Sequence, residues 1–272
     1  MITASIVTYH TSEVELVKLA GCLVNSSVTK IYIIDNSDLP DLSRITGYSK
    51  KIEYFHGHGN IGYGAGHNIA IRLAIKSESI YHIVANSDII LEEGTIERLA
   101  DYMNKNPSVG MVQPKVIFPN GELQYLCKLI PSPFDLISKR FFPYRNSRRS
   151  DRFQLKFTGY DKFMNVPYLS GCFMFFRVSA LQKTGLFDER FFMYPEDIDI
   201  TRRMHEHYET MFNPTISIVH AHAAASYENK KMLIIHIVNM IKYFNKWGWI
   251  FDSKRRKINR EVLLNLGYCE NK

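Results

Sequence analysis

The 272-residue chain contains no run of about eighteen uninterrupted apolar residues, so no membrane-spanning helix is expected. Its opening residues, MITASIVTYH, lack a basic stretch and pass straight into β-branched residues. They are expected to form a strand rather than a secretory signal. Cysteine is scarce, and Cys22, Cys127, Cys172 and Cys269 are scattered without a C-x-x-C pair. Reduced, structural thiols in a cytosolic protein are the plain reading. Internal repeats and low-complexity segments are absent too. So is any nucleic-acid-reading motif, which disfavours a nucleic-acid partner despite a net charge of +7.

What is present suits an ordinary globule, with 46% hydrophobic and 22% charged residues over enough length for one large domain or two small ones. The positive charge is segregated. Lys139 to Lys156 holds seven basic residues against Asp151 alone, and Lys230 to Arg260 holds nine against Asp252 alone. Such clustering points to an anionic partner or to a solvated basic face.

The first hundred residues alternate in type. ITASIVTYH reads as a strand, and SEVELVKLAGCLVN as an amphipathic helix opened by a Ser12/Glu15 capping box. KIYIIDNS, KIEYFHG and IYHIVANSD read as further strands, with helices in GHNIAIRLAIKSES and EEGTIERLADYMNKNP. This order predicts an α/β fold with a mostly parallel sheet flanked by helices. Ligands in such sheets sit beyond the carboxyl ends of the strands, where Asp35, Asn60 and Asp88 fall. Further on, KVIFPNGELQY reads as a hairpin turning at Asn120-Gly121, and VPYLSGCFMFFRVSAL as a buried strand entering a helix. PEDIDITRRMHEH reads as a helix, TISIVHAHAAAS as a strand entering a loop, and KKMLIIHIVNMIKYFNKWGW as a final helical region.

GHGNIGYGAGHN, residues 57 to 68, holds five glycines and spells G-x-G-x-x-G from Gly57 to Gly62. A dinucleotide site needs this loop after the first strand and an acid about twenty residues on. Here it follows the third strand, and Asp88 stands twenty-six residues past Gly62. The context argues against NAD. The glycines are expected to let the backbone approach some other nucleotide closely.

NSD (86–88), GLFDERFFMYPEDIDITRRM and VHAHAAAS occur in this order behind IVTYH, IIDNS and GNIGYGAGHNIAI. Together they resemble the family-2 inverting glycosyltransferases of the GT-A fold, in their rhamnosyltransferase-like branch of bacterial surface polysaccharide synthesis. The resemblance runs through IKYFNKWGWIFDSKRRKIN. It implies a GT-A catalytic domain over 1–226, with a nucleotide half to about 110 and an acceptor half beyond it. A C-terminal helical, basic-aromatic extension would then span 227–272.

The resemblance also implies roles. Asn86-Ser87-Asp88 stands for the family's D-x-D, with Asp88 as ligand of a divalent cation (Mn²⁺ or Mg²⁺) and Asn86 in place of the first acid. His220 matches a metal-binding histidine, with His222 as competitor on the same side of a strand. Asp197 is the expected catalytic base and Glu196 the runner-up, both at a helix start that favours carboxylates. Asp199 is expected to form intrahelical ion pairs with Arg202 and Arg203. Thr8, Tyr9, Asp35, Asn60, Gly62 and Asn68 match the nucleotide-sugar pocket, and Gly171 the acceptor side.

The implied activity is metal-dependent transfer from a nucleotide-diphosphate sugar, dTDP-rhamnose or similar, to a glycan or polyprenyl-linked acceptor. The expected location is the cytoplasm, at the inner face of the membrane if the basic C-terminal helix lies on anionic lipid. That helix could equally dock on the enzyme itself. Two other functions compete: an NAD-dependent oxidoreductase resting on the glycines, and a glycan-binding subunit without turnover, suggested by Asn86.

Overall fold

A computed structural model describes residues 1–40, 42–135, 147–221 and 230–268. Among these residues the alternation read from the sequence builds one nine-stranded sheet. Strands β1 (Ile2–Thr8), β2 (Val28–Asp35), β3 (Ile52–Phe55) and β4 (Tyr81–Ala85) lie side by side in the order β3-β2-β1-β4, all parallel. Helices α1 (Glu13–Val24) and α2 (Tyr63–Lys76) make the crossovers. Ser12 caps α1 as expected, its side chain accepting from the Glu15 N–H. The reciprocal half of the capping box is not made, because the Glu15 carboxylate is taken by the Ser87 hydroxyl at 2.5 Å.

Beyond β4 the sheet turns mixed. β5 (Ile89–Ile90), α3 (Thr95–Lys105), β6 (Val109–Ile117), β7 (Cys127–Lys128), α4 (Ser147–Phe153) and β8 (Met164–Asn165) follow in the chain. The segment VPYLSGCFMFF is two strands rather than one, β9 (Tyr168–Leu169) and β10 (Phe173–Arg177), broken at Gly171. β10 runs antiparallel between β4 and β6, and β9 pairs with β7 in a separate ribbon. Helices α5 (Val178–Thr184) and α6 (Glu196–His205) lead to β11 (Glu209–His220), which runs parallel to β6. The final helical region is α7 (Lys230–Trp247), which ends at Gly248 with φ +99°, and a further helix, α8 (Ser253–Asn265), follows beyond it. Val262, Leu263 and Leu266 of this end pack in one cluster with Phe176, Met204 and Phe212.

Inside the sheet a polar chain is sealed from water. Thr3 Oγ1 lies 2.8 Å from His82 Nδ1, His82 Nε2 lies 2.9 Å from Ser5 Oγ, and Ser5 Oγ lies 2.7 Å from His67 Nδ1. Burial pushes the His82 imidazole down to about 3, and pushes His67 well below its ordinary value. The unfolded chain takes up the His82 proton near pH 6.5 while the folded chain refuses it until about pH 3. This stability is therefore present above pH 6.5 and lost below it, by roughly 1.4 kcal/mol per pH unit for one histidine. Urea unfolding at pH 7, 6 and 5 should show this fall, and His82→Gln should make it shallower. An equal slope in the variant would assign the acid sensitivity elsewhere.

Candidate active site

The carboxyl ends of β1, β2 and β4 form one edge. Thr8 pairs with Asp35 in the β1–β2 register, and the Asn36 N–H donates to Thr8 O at 2.9 Å. Burial works against the charge of Asp35. Donation from Ser37 and from the Tyr54 hydroxyl (2.5 Å to Oδ2) nonetheless holds its carboxyl below the ordinary value. Tyr9, beside it in the chain, is exposed, with its ring edge-on to His10 at 4.3 Å. Asn36 Nδ2 donates to Gly62 O at 3.2 Å, which ties the glycine stretch to this corner.

Asn86-Ser87-Asp88 leaves β4 at the same edge. The Asn86 N–H donates to Cys172 O, and Ser87 is tied to Glu15 on α1. Asp88 O accepts the Ala221 N–H at 3.1 Å, while Ile89 and Ile90 pair with His220 and Val219 of β11. Backbone pairing therefore brings Asp88 and His220 together from positions far apart in sequence. Asp88 Oδ1 lies 3.3 Å from His220 Nε2. Burial opposes a charge on the His220 imidazole, but Asp88 and the Cys172 thiol raise it to about 10.

Gln124, which carries no recognisable motif, grips His220 twice. Its Oε1 lies 3.0 Å from His220 Nδ1, and its Nε2 donates to His220 O at 2.8 Å. With Asp88 beside it the imidazole holds both hydrogens, so Nδ1–H donates to Gln124 and Nε2–H faces Asp88, and a cation bound here would displace the Nε2 hydrogen. Two ligands at right angles about 2.1 Å from a small cation lie roughly 3 Å apart, so the Asp88–His220 spacing fits such an ion. Among the described residues no three His, Cys, Asp or Glu side chains converge. Two protein ligands, completed by phosphate oxygens and water, is a common arrangement for a cation that accompanies a diphosphate.

The acids of α6 lie behind a strained turn. Tyr194 has φ +93°, a conformation that costs a non-glycine residue about 1–3 kcal/mol and persists only where its surroundings enforce it. Glu196 and Asp197 follow, both buried. Asp197 Oδ2 accepts the Gly171 N–H at 3.1 Å and Oδ1 accepts the Ile198 N–H at 2.8 Å, so both oxygens are oriented by backbone. Burial raises the Asp197 carboxyl to about 6, against the pull of Lys128 on β7 and of these N–H groups. Burial and then the Asp197 charge push Glu196 well above the usual carboxylate range, and its Oε2 has no hydrogen-bond partner among the described residues. Both carboxyls of this buried pair are therefore raised, and the Gly171 and Ile198 N–H groups favour placing the charge on Asp197.

Tyr63 joins the two halves. Its hydroxyl lies 2.6 Å from Gly171 O and 3.0 Å from Asn86 Oδ1, and Gly171 N–H holds Asp197. A Cβ on Gly171 would stand 3.2 Å from that of Asp197. Thr8, Tyr9, Asp35 and Gly62 thus share one corner, and Asn86, Asp88, His220, Gly171, Glu196 and Asp197 a connected second group.

Other expected residues are placed differently. Asn68 is buried, and its amide is spent on Phe187 O, Phe187 N and Glu189. The Asn60 side chain accepts from the Gly62 N–H within its own turn. Gly62, at φ +91°, lies so close to Phe192 that a Cβ would be 2.3 Å from that carbonyl. Its lack of a side chain is required by the packing of α2 on the FDERFFMYP segment. Asp199 does pair with Arg203 at 2.8 Å, but Arg202 does not join it. Arg202 is buried under the Trp247 ring and makes two 2.8 Å bonds to Asp252, because the C-terminal helices supply a better-matched bidentate partner. His222 lies outside the described residues.

The profile described as "Glycosyltransferase like family 2" matches residues 2–231. The chain is 30% identical over 146 residues to N-acetylglucosaminyl-diphospho-decaprenol L-rhamnosyltransferase of Mycobacterium tuberculosis (strain CDC 1551 / Oshkosh). That match covers 51% of this chain and 46% of the relative, so the chain spans about half the length of the curated protein it matches. Among solved structures, GalNAc-T7 with UDP, GalNAc and Mn²⁺ is similar with a TM-score of 0.61 at 13% identity, over 80% of this chain and 42% of that one. The mannosyltransferase PcManGT from Pyrobaculum calidifontis, in complex with GDP-Man and Mn²⁺, gives 0.58 at 12% identity over 100% and 76%. At these identities the likeness shows the fold, a GT-A arrangement of sheet and helices.

Proposed function

The chain belongs to glycosyltransferase family 2, and on that premise we propose that it transfers a sugar from a nucleotide-diphosphate donor to an acceptor hydroxyl with inversion. The observation that carries this reading is the Asp197 carboxylate. It is buried, oriented by two backbone N–H groups, raised to about 6, and joined through Gly171 and Tyr63 to Asn86.

Asp197 takes the acceptor hydroxyl proton as that oxygen attacks the anomeric carbon and the bond to the diphosphate breaks. Thr8, Tyr9 and Asp35 receive the nucleoside. Asp88 and Nε2 of His220 would hold a divalent cation, which when bound neutralises charge on the leaving diphosphate. The Mycobacterium tuberculosis relative is named for moving L-rhamnose onto a diphospho-decaprenol-linked sugar. We read the donor here as dTDP-rhamnose or a close analogue, and the acceptor as lipid-linked. The reaction then sits at the cytoplasmic membrane face, within a catalytic unit over 1–226 and an extension over 227–272.

Release of sugar from a panel of nucleotide sugars with Mn²⁺ or Mg²⁺ tests this reading. Metal-dependent donor binding without turnover on any donor or acceptor would favour a glycan-binding subunit instead, the reading that Asn86 invites. The Gln124 grip gives a finer test. Outer-shell partners of a ligating histidine typically contribute about 10–100-fold in metal affinity. Gln124→Leu should weaken Mn²⁺ binding by that range in titration followed by electron paramagnetic resonance, without any turnover measurement. Gln124→Glu, which still accepts from Nδ1–H, should recover most of it. Unchanged Mn²⁺ affinity in Gln124→Leu would remove His220 from the site.

A further inference from the structure

The inner face of α7 is accounted for: Met240, Tyr243 and Phe244 are buried against Phe191 and Ile198. Its outer face is not. Ile234, Ile237, Val238 and Ile241 recur at i, i+3, i+4 and i+7 and are 62%, 50%, 45% and 43% exposed. Trp249 continues this stripe, its Nε1–H donating to Asn245 Oδ1 one turn beyond Ile241. Ile250 and Phe251 follow at 67% and 89% exposure. Seven large apolar side chains exposed between Ile234 and Phe251 mark an interaction surface on a protein with otherwise ordinary composition.

We propose that this strip, α7 outward from Ile234 together with the turn 249–251, docks on an anionic lipid bilayer. The proposal rests on the transferase reading for its purpose and on geometry and charge for its evidence. Within residues 230–260 the one acid, Asp252, is buried and paired with Arg202. Lys242, on α7 beside Ile241, and Arg256, which donates to Ile250 O at 3.0 Å, are exposed at the strip, and on α8 Arg260 is exposed too, while Lys254 and Lys257 pair with Glu206 and Glu261. An apolar centre with a cationic rim matches a lipid interface, where acyl chains take the side chains and phosphates take the charge. A second copy of the chain would instead set the two cationic rims against each other.

The strip also adjoins the acids. Asn239 Nδ2 donates to Met193 O at 2.9 Å, and the His236 ring lies 4.6 Å from that of Tyr194, two residues before Glu196. Docking through the outer face of α7 would leave its inner side holding the turn that presents Glu196 and Asp197. A lipid-linked acceptor would then meet the base at the bilayer surface.

Trp249 is a built-in reporter, since the other tryptophan, Trp247, is packed over Arg202. With the full chain and no donor, phosphatidylglycerol vesicles should shift its emission to the blue, and brominated acyl chains should quench it. Phosphatidylcholine vesicles should do neither. Binding should weaken as salt rises to physiological strength, where charges are screened beyond about 8 Å. Ile250→Ser with Phe251→Ser, both at exposed positions, should weaken vesicle binding at least tenfold, and Trp249→Phe should remove the signal. Absence of binding to phosphatidylglycerol, or equal binding by the double variant, would overturn the proposal. So would sedimentation showing a wild-type dimer that the double variant abolishes. Donor hydrolysis by the double variant keeps the two readings apart. Intact hydrolysis with lost vesicle binding supports the docking surface, while vesicle binding in a protein that hydrolyses no donor overturns the transferase reading alone.

Discussion

Asp197→Asn should bind the nucleotide-sugar donor as tightly as the parent chain and lose transfer by about 10²–10⁴-fold, the range a general base contributes. The asparagine keeps the shape, and its Oδ1 can still accept one of the N–H groups of Gly171 and Ile198 that orient the carboxylate. What it lacks is the capacity to take a proton. Glu196→Gln should lose much less, because burial and the Asp197 charge disfavour the ionised form of Glu196 and an amide mimics the neutral one. The pH dependence separates this from a structural defect. Lys128 on β7, Glu196 on α6, Tyr63 on α2 and Tyr168 on β9 are the groups coupled to Asp197. With its carboxyl at about 6, kcat/KM should fall roughly tenfold per unit below that pH and level off above it. In Asp197→Asn this limb should vanish from the residual rate. Should Glu196→Gln be inactive and Asp197→Asn active, the two roles are exchanged. Should both stay active, neither is the base.

How far the sequence could be read depends on the range of the interaction. Strand β1, the Ser12 cap of α1 and the buried run of β4 rest on local pattern and emerged with bounds shifted by a residue or two. The start of α2 at Tyr63 was hidden, because Gly64 and Gly66 look like loop residues. They are small because Phe187 and Val7 press on them within 2.9 Å and 2.8 Å of a notional Cβ. The break between β9 and β10 had a visible sign in Gly171, outweighed by the apolar run around it.

The site divides in the same way. Asp35 and Asp88 fall at strand ends, and Glu196 and Asp197 stand at a helix start in a segment that the family resemblance singled out. Gln124 and Tyr63 did not stand out, since a glutamine in a turn and a tyrosine after a glycine carry no pattern. They matter only because the fold sets Gln124 against His220, ninety-six residues away, and Tyr63 against Gly171, one hundred and eight away. The Arg202–Asp252 pair was masked for the opposite reason. A plausible local partner, Asp199 at i−3, stood in view while the true one lay fifty residues on.

Removal of Asp88 should have the largest effect on binding, because it supplies the one carboxylate of the Asn86-Ser87-Asp88 turn. Asn86 cannot substitute for it. Its Oδ1 is engaged by the Tyr63 hydroxyl and its Nδ2 faces His220 at 3.4 Å, so it directs a donor, not an anion, at the same space. In Asp88→Ala only His220 Nε2 remains of the pair, and a neutral nitrogen is a poor sole anchor for a hard cation that prefers oxygen. Mn²⁺-dependent affinity for a nucleoside diphosphate should therefore fall by more than the 10–100-fold that losing an outer-shell partner typically costs. The weak affinity measured in EDTA should be nearly unchanged, because Thr8, Tyr9 and Asp35 lie in the other corner. The fold should survive, since the pairing of Asp88 with β11 runs through its carbonyl and the Ala221 N–H, which alanine keeps. Calorimetry of nucleoside diphosphate binding with Mn²⁺ and with EDTA decides the matter. A variant that retains the Mn²⁺-dependent gain, with an unaltered circular dichroism spectrum, would show that the cation is held elsewhere.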